Sequence, residues 1–137
     1  NNTSPYMITH IADKWCGVKN EIVSIKLGNS SLGNISNTPT NIIDYHNNSP
    51  YMACICAYYM GARRIGLIGV DFTSNHFNNN DGEHNLAKKL DSINEMFGKL
   101  SKKLSSFGCD IYNISQISKI TTLPKMEQDE FLFSLND

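Results

Sequence analysis

The sequence predicts an α/β domain built on a Rossmann-like sheet, parallel or mixed, with helices on both faces. Two neighbouring segments carry this prediction. The run from Ile65 to Val70 is continuously apolar and ends at Asp71, which is typical of a strand covered on both faces of a parallel sheet. A long amphipathic segment follows, and after it a second strand from Cys109 to Ile114. This order of strand, helix and strand predicts a parallel crossover unit.

A helix is predicted immediately before the apolar strand, from Pro50 to Met60. Proline is favoured at the first helical position, and either Asn48 or Ser49 can cap the helix by accepting a hydrogen bond from a free backbone amide. Two small residues, Ala53 and Ala57, are four positions apart and therefore share one face. We expect this face to lie close against the sheet.

The segment after the strand gives the most regular helical pattern in the chain. Its apolar residues recur at every third or fourth position, and Gly108 follows where a helix commonly ends. The residues of this stripe are Leu86, Leu90, Ile93, Phe97, Leu100, Leu104 and Phe107.

The remaining segments are predicted from shorter patterns. Tyr6 to His10 and Glu21 to Leu27 have the residue types of strands, and Ile42 to Tyr45 is a brief apolar patch. Gly28 to Asn41 is rich in Asn, Ser, Gly and Thr, which predicts a surface loop. The tail from Pro124 through Phe133 predicts a short terminal helix.

Length and composition restrict the class of protein. At 137 residues the chain fits one domain spanning 1–137, and its start without Met suggests a piece of a larger protein. The 12 basic and 13 acidic residues nearly balance and do not cluster, so neither nucleic acid nor an anionic membrane is the expected partner. No segment reaches the roughly 20 apolar residues of a membrane span. We therefore expect a cytoplasmic protein that is able to form oligomers.

Cysteine and histidine spacing gives no metal signature. The four cysteines include no Cys-x-x-Cys pair, and the four histidines do not take paired ligand spacing either. The sequence therefore predicts reduced, mostly buried thiols, no structural metal and no cofactor.

Candidate site residues follow the apolar strand, because open parallel sheets bind ligands at the carboxyl ends of their strands. Asp71, Thr73 and Asn75 are candidate ligand-binding residues. Asp71 can accept a hydrogen bond from a ligand hydroxyl or orient a histidine; alternatively it caps the amides of its own loop. His76 and His84 flank the Asn-rich loop, and a neutral imidazole is suited to deprotonate an alcohol. Each can also be an ordinary surface histidine.

A second candidate is the start of the predicted helix, at Asn48 and Ser49. Free amides at a helix N-terminus bind phosphate or carboxylate groups, so these residues are candidate ligands for an anion. Plain capping of the helix is the alternative interpretation.

The stretch from Asn48 to Phe72 resembles a segment shared by bacterial sialyltransferases of glycosyltransferase family 42 and by DUF115 proteins, which include motility accessory factors and MptE-like pterin pyrophosphokinases. A helix led by Ser or Gly, an apolar strand ending in Gly-x-Asp-Phe, and a histidine-bearing loop follow one another in the same order. The resemblance implies that Ser49 contacts the donor nucleotide and that Asp71 ends the central strand. It also implies that His84 is the catalytic base, a role for which His76 competes.

This resemblance predicts a metal-independent inverting glycosyltransferase-like domain that binds a nucleotide-activated sugar and transfers it to an acceptor hydroxyl on a glycan. The family's Gly-Asn-Gly-Pro-Ser nucleotide loop has only a faint counterpart, from Gly28 to Leu32. One alternative is therefore a non-catalytic module that binds carbohydrate or a partner within a larger glycan-modifying protein. Another is a DUF115-type pterin pyrophosphokinase, which would require magnesium and ATP.

Overall fold

The computed structural model describes residues 6–9, 21–24, 26–28, 35–40, 42–44, 48–73 and 89–135. The strands in this part of the chain are β1 (Tyr6–Thr9), β2 (Glu21–Ser24), β3 (Lys26–Gly28), β4 (Ile42–Asp44), β5 (Arg64–Leu67) and β6 (Asp110–Asn113). The helices are α1 (Ser49–Tyr59), α2 (Leu90–Ser105) and α3 (Gln128–Ser134). The strands pair β1 with β2, β3 with β4 and β5 with β6, and every pair is parallel. These pairs confirm an α/β fold with parallel strands.

The predicted crossover unit is formed by β5, α2 and β6. Arg64 lies opposite Asp110, and Leu67 lies opposite Asn113 at the other end of the pair. The helix α2 begins at Leu90, within the predicted amphipathic segment, while Leu86 lies outside the described residues. Its buried residues are Ile93, Met96, Phe97, Leu100 and Leu104, so the predicted apolar stripe is confirmed from Ile93 onward.

A single buried cluster joins β4, α1, β5, α2 and β6. The contribution of α1 consists of Tyr51, Cys54, Ile55 and Tyr58. Ala53 is exposed and Ala57 is half-buried, so the prediction that these small residues face the sheet is wrong for Ala53. The larger side chains of the opposite stripe bury more apolar area, and they determine which face of α1 turns inward.

The strand β5 is shorter than predicted. It ends at Leu67, and Ile68 is 64% exposed rather than buried. Gly69 then adopts a φ of +70°, a left-handed conformation that ends the extended backbone. The continuous strand predicted through Val70 is therefore wrong over its last three residues.

The second face of the β5–β6 pair contacts α3. Ile65 and Leu67 face the main core, so Gly66 faces the other side. A Cβ atom placed on Gly66 would clash with the Ile114 side chain and would lie 2.9 Å from the ring of Phe131, which projects from α3. The absence of a Cβ atom therefore lets both side chains pack directly on the strand. The ring of Tyr112 lies edge-on to the same phenyl group, with 6.1 Å between centroids.

The residues before α3 form an extended edge rather than a helix. Asn113 N–H donates to the carbonyl of Pro124 at 2.8 Å, and Met126 N–H donates to the carbonyl of Asn113 at 3.1 Å. These bonds place Pro124 to Met126 parallel to β6. The terminal helix predicted from Pro124 begins only at Gln128, because the preceding residues pair with the sheet.

The predicted surface loop is described from residue 35 to 40, where it has no regular structure. Ile35 is buried, and two tyrosines of α1 hold the segment in place. Ser36 N–H donates to the Tyr59 hydroxyl at 3.0 Å, and the Tyr58 hydroxyl donates to the carbonyl of Asn37 at 3.1 Å. This part of the loop is therefore tied to the core. None of the helices in the described ranges combines the length and apolar character needed to cross a membrane.

Candidate functional site

Polar side chains meet where β5 and β6 end. Because the two strands are parallel, their carboxyl ends lie at the same edge of the sheet. Residues 68–73 leave this edge after β5, and residues 114–120 leave it after β6. Hydrogen bonds join the two segments, and we call them the carboxyl-end loops.

Asp71 is half-buried and is held by the loop that follows β6. Its Oδ1 atom accepts a short hydrogen bond from the Ser115 hydroxyl. Its backbone carbonyl accepts a hydrogen bond from Lys119 N–H at 2.8 Å. Within the described part of the chain the carboxylate is thus bound by a hydroxyl from the opposite loop. Most of its own loop, from residue 74 onward, lies outside the described residues, so capping of the amides of that loop stays a prediction.

Asn113 organises the loop that carries Ser115. The Asn113 side chain is fully buried, its Oδ1 atom accepts from Ser115 N–H at 3.1 Å, and its Nδ2 atom donates to the carbonyl of Ile120 at 3.2 Å. The Ser118 hydroxyl donates to the carbonyl of Val70 at 2.8 Å, which ties the same loop back to the segment after β5. Buried polar groups that are bonded on both sides fix one conformation.

Asn113, Ser115 and Ser118 are not among the site residues that the sequence predicts. They follow the predicted strand Cys109 to Ile114 directly, as Asp71 follows the apolar strand. Because parallel strands present their carboxyl ends at one edge, this position was a usable signal.

The start of α1 is capped by Asn48. This residue is buried, and its Oδ1 atom accepts a hydrogen bond from Tyr51 N–H at 3.2 Å. Ser49 is the first helical residue and is exposed. Of the two capping alternatives, the structure therefore selects Asn48 and leaves the Ser49 side chain accessible to solvent.

A single aromatic ring links the start of α1 to the Asp71 segment. The Phe97 ring of α2 contacts Tyr51 in the first turn of α1, with 6.2 Å between ring centroids. It also contacts Phe72, the residue after Asp71, at 6.3 Å. Phe72 has a φ of +49°, an uncommon conformation for a non-glycine residue, and this conformation accompanies its packing against the core. The start of α1 and the Asp71 segment therefore lie against the same part of the core.

Three predicted site residues lie outside the described residues: Asn75, His76 and His84. Thr73 is half-buried and is the last described residue before them. Asn48 and Ser49 lie at the start of α1, Asp71 and Thr73 lie in the segment after β5, and the two candidate bases stay predictions.

The environment of the described cysteines does not favour a role as nucleophiles. Burial, and to a smaller extent the neighbouring Cys109 and Cys56 thiols, raises the pKa of Cys54 to about 12. Burial also raises the pKa of Cys56 and of Cys109. A thiol with a raised pKa stays protonated at neutral pH and is a poor nucleophile. The predicted burial is confirmed for Cys54 and Cys109.

A groove of about 680 Å³ runs between α2 and β6, from the amino end of β6 to Pro124. Its lining residues are Ser101, Lys102, Ser105, Ser106, Asp110, Ile111, Tyr112 and Pro124. Most of these side chains are exposed, in contrast to the bonded groups around Asp71. In the residues that the structure describes, no three His, Cys, Asp or Glu side chains are grouped in a way that could hold a metal ion.

No protein-family model, curated protein or solved structure matches the chain. The resemblance to glycosyltransferase family 42 and DUF115, which covers roughly Ser49 to Phe131, therefore stays a prediction from the sequence. The chemistry of the site has to be argued from its own atoms. A carboxylate with one oxygen already bonded offers the other as an acceptor, and the amide and exposed hydroxyl of Ser49 at the start of α1 offer donors to an anion.

Proposed function

We propose that this chain is a glycosyltransferase-like domain, built on a Rossmann-like sheet, that binds a nucleotide-activated sugar at the carboxyl ends of β5 and β6. The observation that carries the proposal is the Asp71 carboxylate, which a hydrogen bond from Ser115 holds at this edge. Ligands of open parallel sheets bind in this position.

Each group has a role that suits one part of such a donor. An ionised carboxylate accepts hydrogen bonds and donates none, so the Asp71 side chain suits a ribose or sugar hydroxyl, which can donate one. The amide and the exposed hydroxyl of Ser49, at the start of α1, suit the phosphate groups.

The transfer step would use a base from the segment between Thr73 and α2. In the proposal, His84 or His76 deprotonates the acceptor hydroxyl on a glycan, and that oxygen attacks the anomeric carbon with inversion. The bond from the anomeric carbon to the phosphate oxygen breaks, and the nucleotide leaves with the electron pair. The helix dipole of α1 stabilises the negative charge that develops on the leaving phosphate.

A titration with free nucleotides tests the proposal without knowledge of the sugar. We would measure the melting temperature and the heat of binding with CMP, UDP, GDP and ATP, with and without magnesium. A ligand that binds only the native state raises the melting temperature. We expect one nucleoside mono- or diphosphate to bind without magnesium and to bind more weakly to the Ser49→Ala and Asp71→Asn variants. No shift with any of these nucleotides would contradict the proposal, and binding of ATP that depends on magnesium would favour the pyrophosphokinase alternative.

The histidine variants separate an enzyme from a binding module. If the domain catalyses transfer, His84→Ala or His76→Ala should abolish turnover while nucleotide binding is retained. Ser106→Ala, in the groove at the other end of β6, is a matched control that should leave both unchanged. Turnover that survives the replacement of both histidines would contradict the assigned base.

A further inference from the structure

The helix α3 and its C-cap residue Leu135 expose most of their apolar side chains. Leu132, Phe133 and Leu135 are 52%, 73% and 52% exposed, respectively, and only Phe131 is buried. A short terminal helix usually turns its few apolar residues towards the domain, because their burial stabilises the fold. Burial within the domain therefore does not explain why three of these four positions carry apolar side chains.

This exposure is not caused by a loose attachment of α3. The Phe131 ring packs on Gly66 and Tyr112 of the sheet, so the orientation of the helix is fixed. Phe133 follows Phe131 by two residues, and a helix turns about 200° over that distance. The Phe133 ring therefore projects away from the sheet. Leu132 and Leu135 are three positions apart and lie together on one flank of the helix.

The charged groups around these residues are acidic. Asp129 and Glu130 precede Phe133 by four and three positions, which places them one helical turn away on the same side. Both are exposed, as is Glu127 before the helix. Lys125 is the nearest basic residue along the described chain, and its amine donates to the carbonyl of Gln116 at 3.1 Å. We call Asp129, Glu130 and the three exposed apolar residues the α3 surface.

We propose that the α3 surface is a docking site for a partner protein that presents an apolar patch bordered by lysine or arginine side chains. Phe133 enters the apolar patch, and the basic side chains pair with Asp129 and Glu130. Exposed apolar area of this kind marks interaction sites, and opposite charge at the border selects the partner.

The acidic border argues against other occupants. A second copy that paired α3 with α3 would bring two sets of carboxylates together, which is unfavourable. A membrane surface with anionic lipids would repel the same carboxylates. A basic and apolar protein segment satisfies both features of the surface.

Two synthetic amphipathic helical peptides test this inference, one of leucine and lysine and the other of leucine and glutamate. We would follow the backbone amide resonances of the labelled protein during titration with each peptide. We expect the lysine peptide to shift resonances of α3, and Phe133→Ala to weaken its binding about tenfold, the loss of one well-packed contact. The glutamate peptide should produce no shifts in α3.

The control variant is Ile117→Ala, which removes another exposed apolar side chain outside α3 and should bind the lysine peptide like the original protein. Because Phe133 and Ile117 are both exposed, neither variant should change the melting temperature by more than a few degrees. Equal affinity for both peptides, shifts outside α3, or no effect of Phe133→Ala would overturn the inference. A dimer that sedimentation detects and that Phe133→Ala dissociates would also overturn it, in favour of self-association.

Discussion

The two ends of the β5–β6 pair differ in how their polar groups are held. At the carboxyl end, Asp71 and Ser115 bond to each other across two loops, over the buried side chain of Asn113. At the amino end, Ser105 and Asp110 line an open groove and are exposed. The same two strands therefore carry one fixed polar site and one solvated polar surface. A site that binds a ligand benefits from groups that are already oriented, since less order has to be created on binding.

The largest difference in stability between changes at the two ends should appear when Asn113 is replaced by alanine. This change removes the bonds to Ser115 N–H and to the Ile120 carbonyl, which then lack a side-chain partner. We expect the free energy of unfolding to fall by about 2–3 kcal/mol. The matched change at the amino end, Asp110→Ala, should alter it by less than about 0.5 kcal/mol. Urea denaturation of both variants measures the comparison, and equal losses would show that the two ends are equally ordered.

The free energy of unfolding, measured at a series of pH values, tests the buried core against which both ends of the β5–β6 pair lie. The Cys54 thiol would ionise near its ordinary pKa of 9.0 in the unfolded chain, whereas burial raises its pKa in the fold to about 12. Between these values the unfolded state binds fewer protons, so stability falls as the pH rises. We expect a loss of up to about 1.4 kcal/mol per pH unit, and no contribution from this group below pH 9.

The Cys54→Ala variant is the control for this pH dependence. The smaller side chain leaves a cavity whose cost does not depend on pH, so the variant should be less stable throughout but should lose less stability above pH 9. An unchanged slope in the variant would show that Cys54 is not the group responsible.

A smaller effect is expected from Ser115→Ala. The substitution removes the hydroxyl that donates to Asp71, at a cost of about 1 kcal/mol. Hydrogen exchange at Lys119 N–H, which donates to the Asp71 carbonyl, should become faster because the two loops are no longer joined by this bond. Ser105→Ala in the groove should leave that exchange rate unchanged. If Lys119 N–H exchanged at the same rate in the original protein and in both variants, Ser115 would not be the group that holds Asp71 in place.

Local patterns predicted α2 because its signal lies within one segment. The three- and four-residue spacing that includes Ile93, Phe97, Leu100 and Leu104 reports directly which side of a helix faces the core, and all four are buried. The α1 cap was also readable from the sequence, because Asn48 bonds to an amide only three positions away.

Contacts between distant residues were not predictable in the same way. Ser115 and Asp71 are 44 positions apart, and they meet only because β5 and β6 pair in one particular register. The packing of Phe131 on Gly66 likewise joins the tail to an interior strand. The early end of β5 depends on the left-handed conformation of Gly69, which an apolar run does not reveal. Sequence alone could therefore indicate the sheet edge at which Asp71 lies but not the partners of Asp71.

The most direct test of the central claim is to map nucleotide binding by amide resonances of the labelled protein. The titration would use CMP, UDP and GDP, with Asp71→Asn as the site variant and Asp110→Asn as the matched control. We predict shifts in the carboxyl-end loops, residues 68–73 and 114–120, and in the first turn of α1, with weaker binding only in Asp71→Asn. Shifts confined to the groove at the amino end, or no shifts with any of the three nucleotides, would contradict the assignment of the site to the carboxyl end.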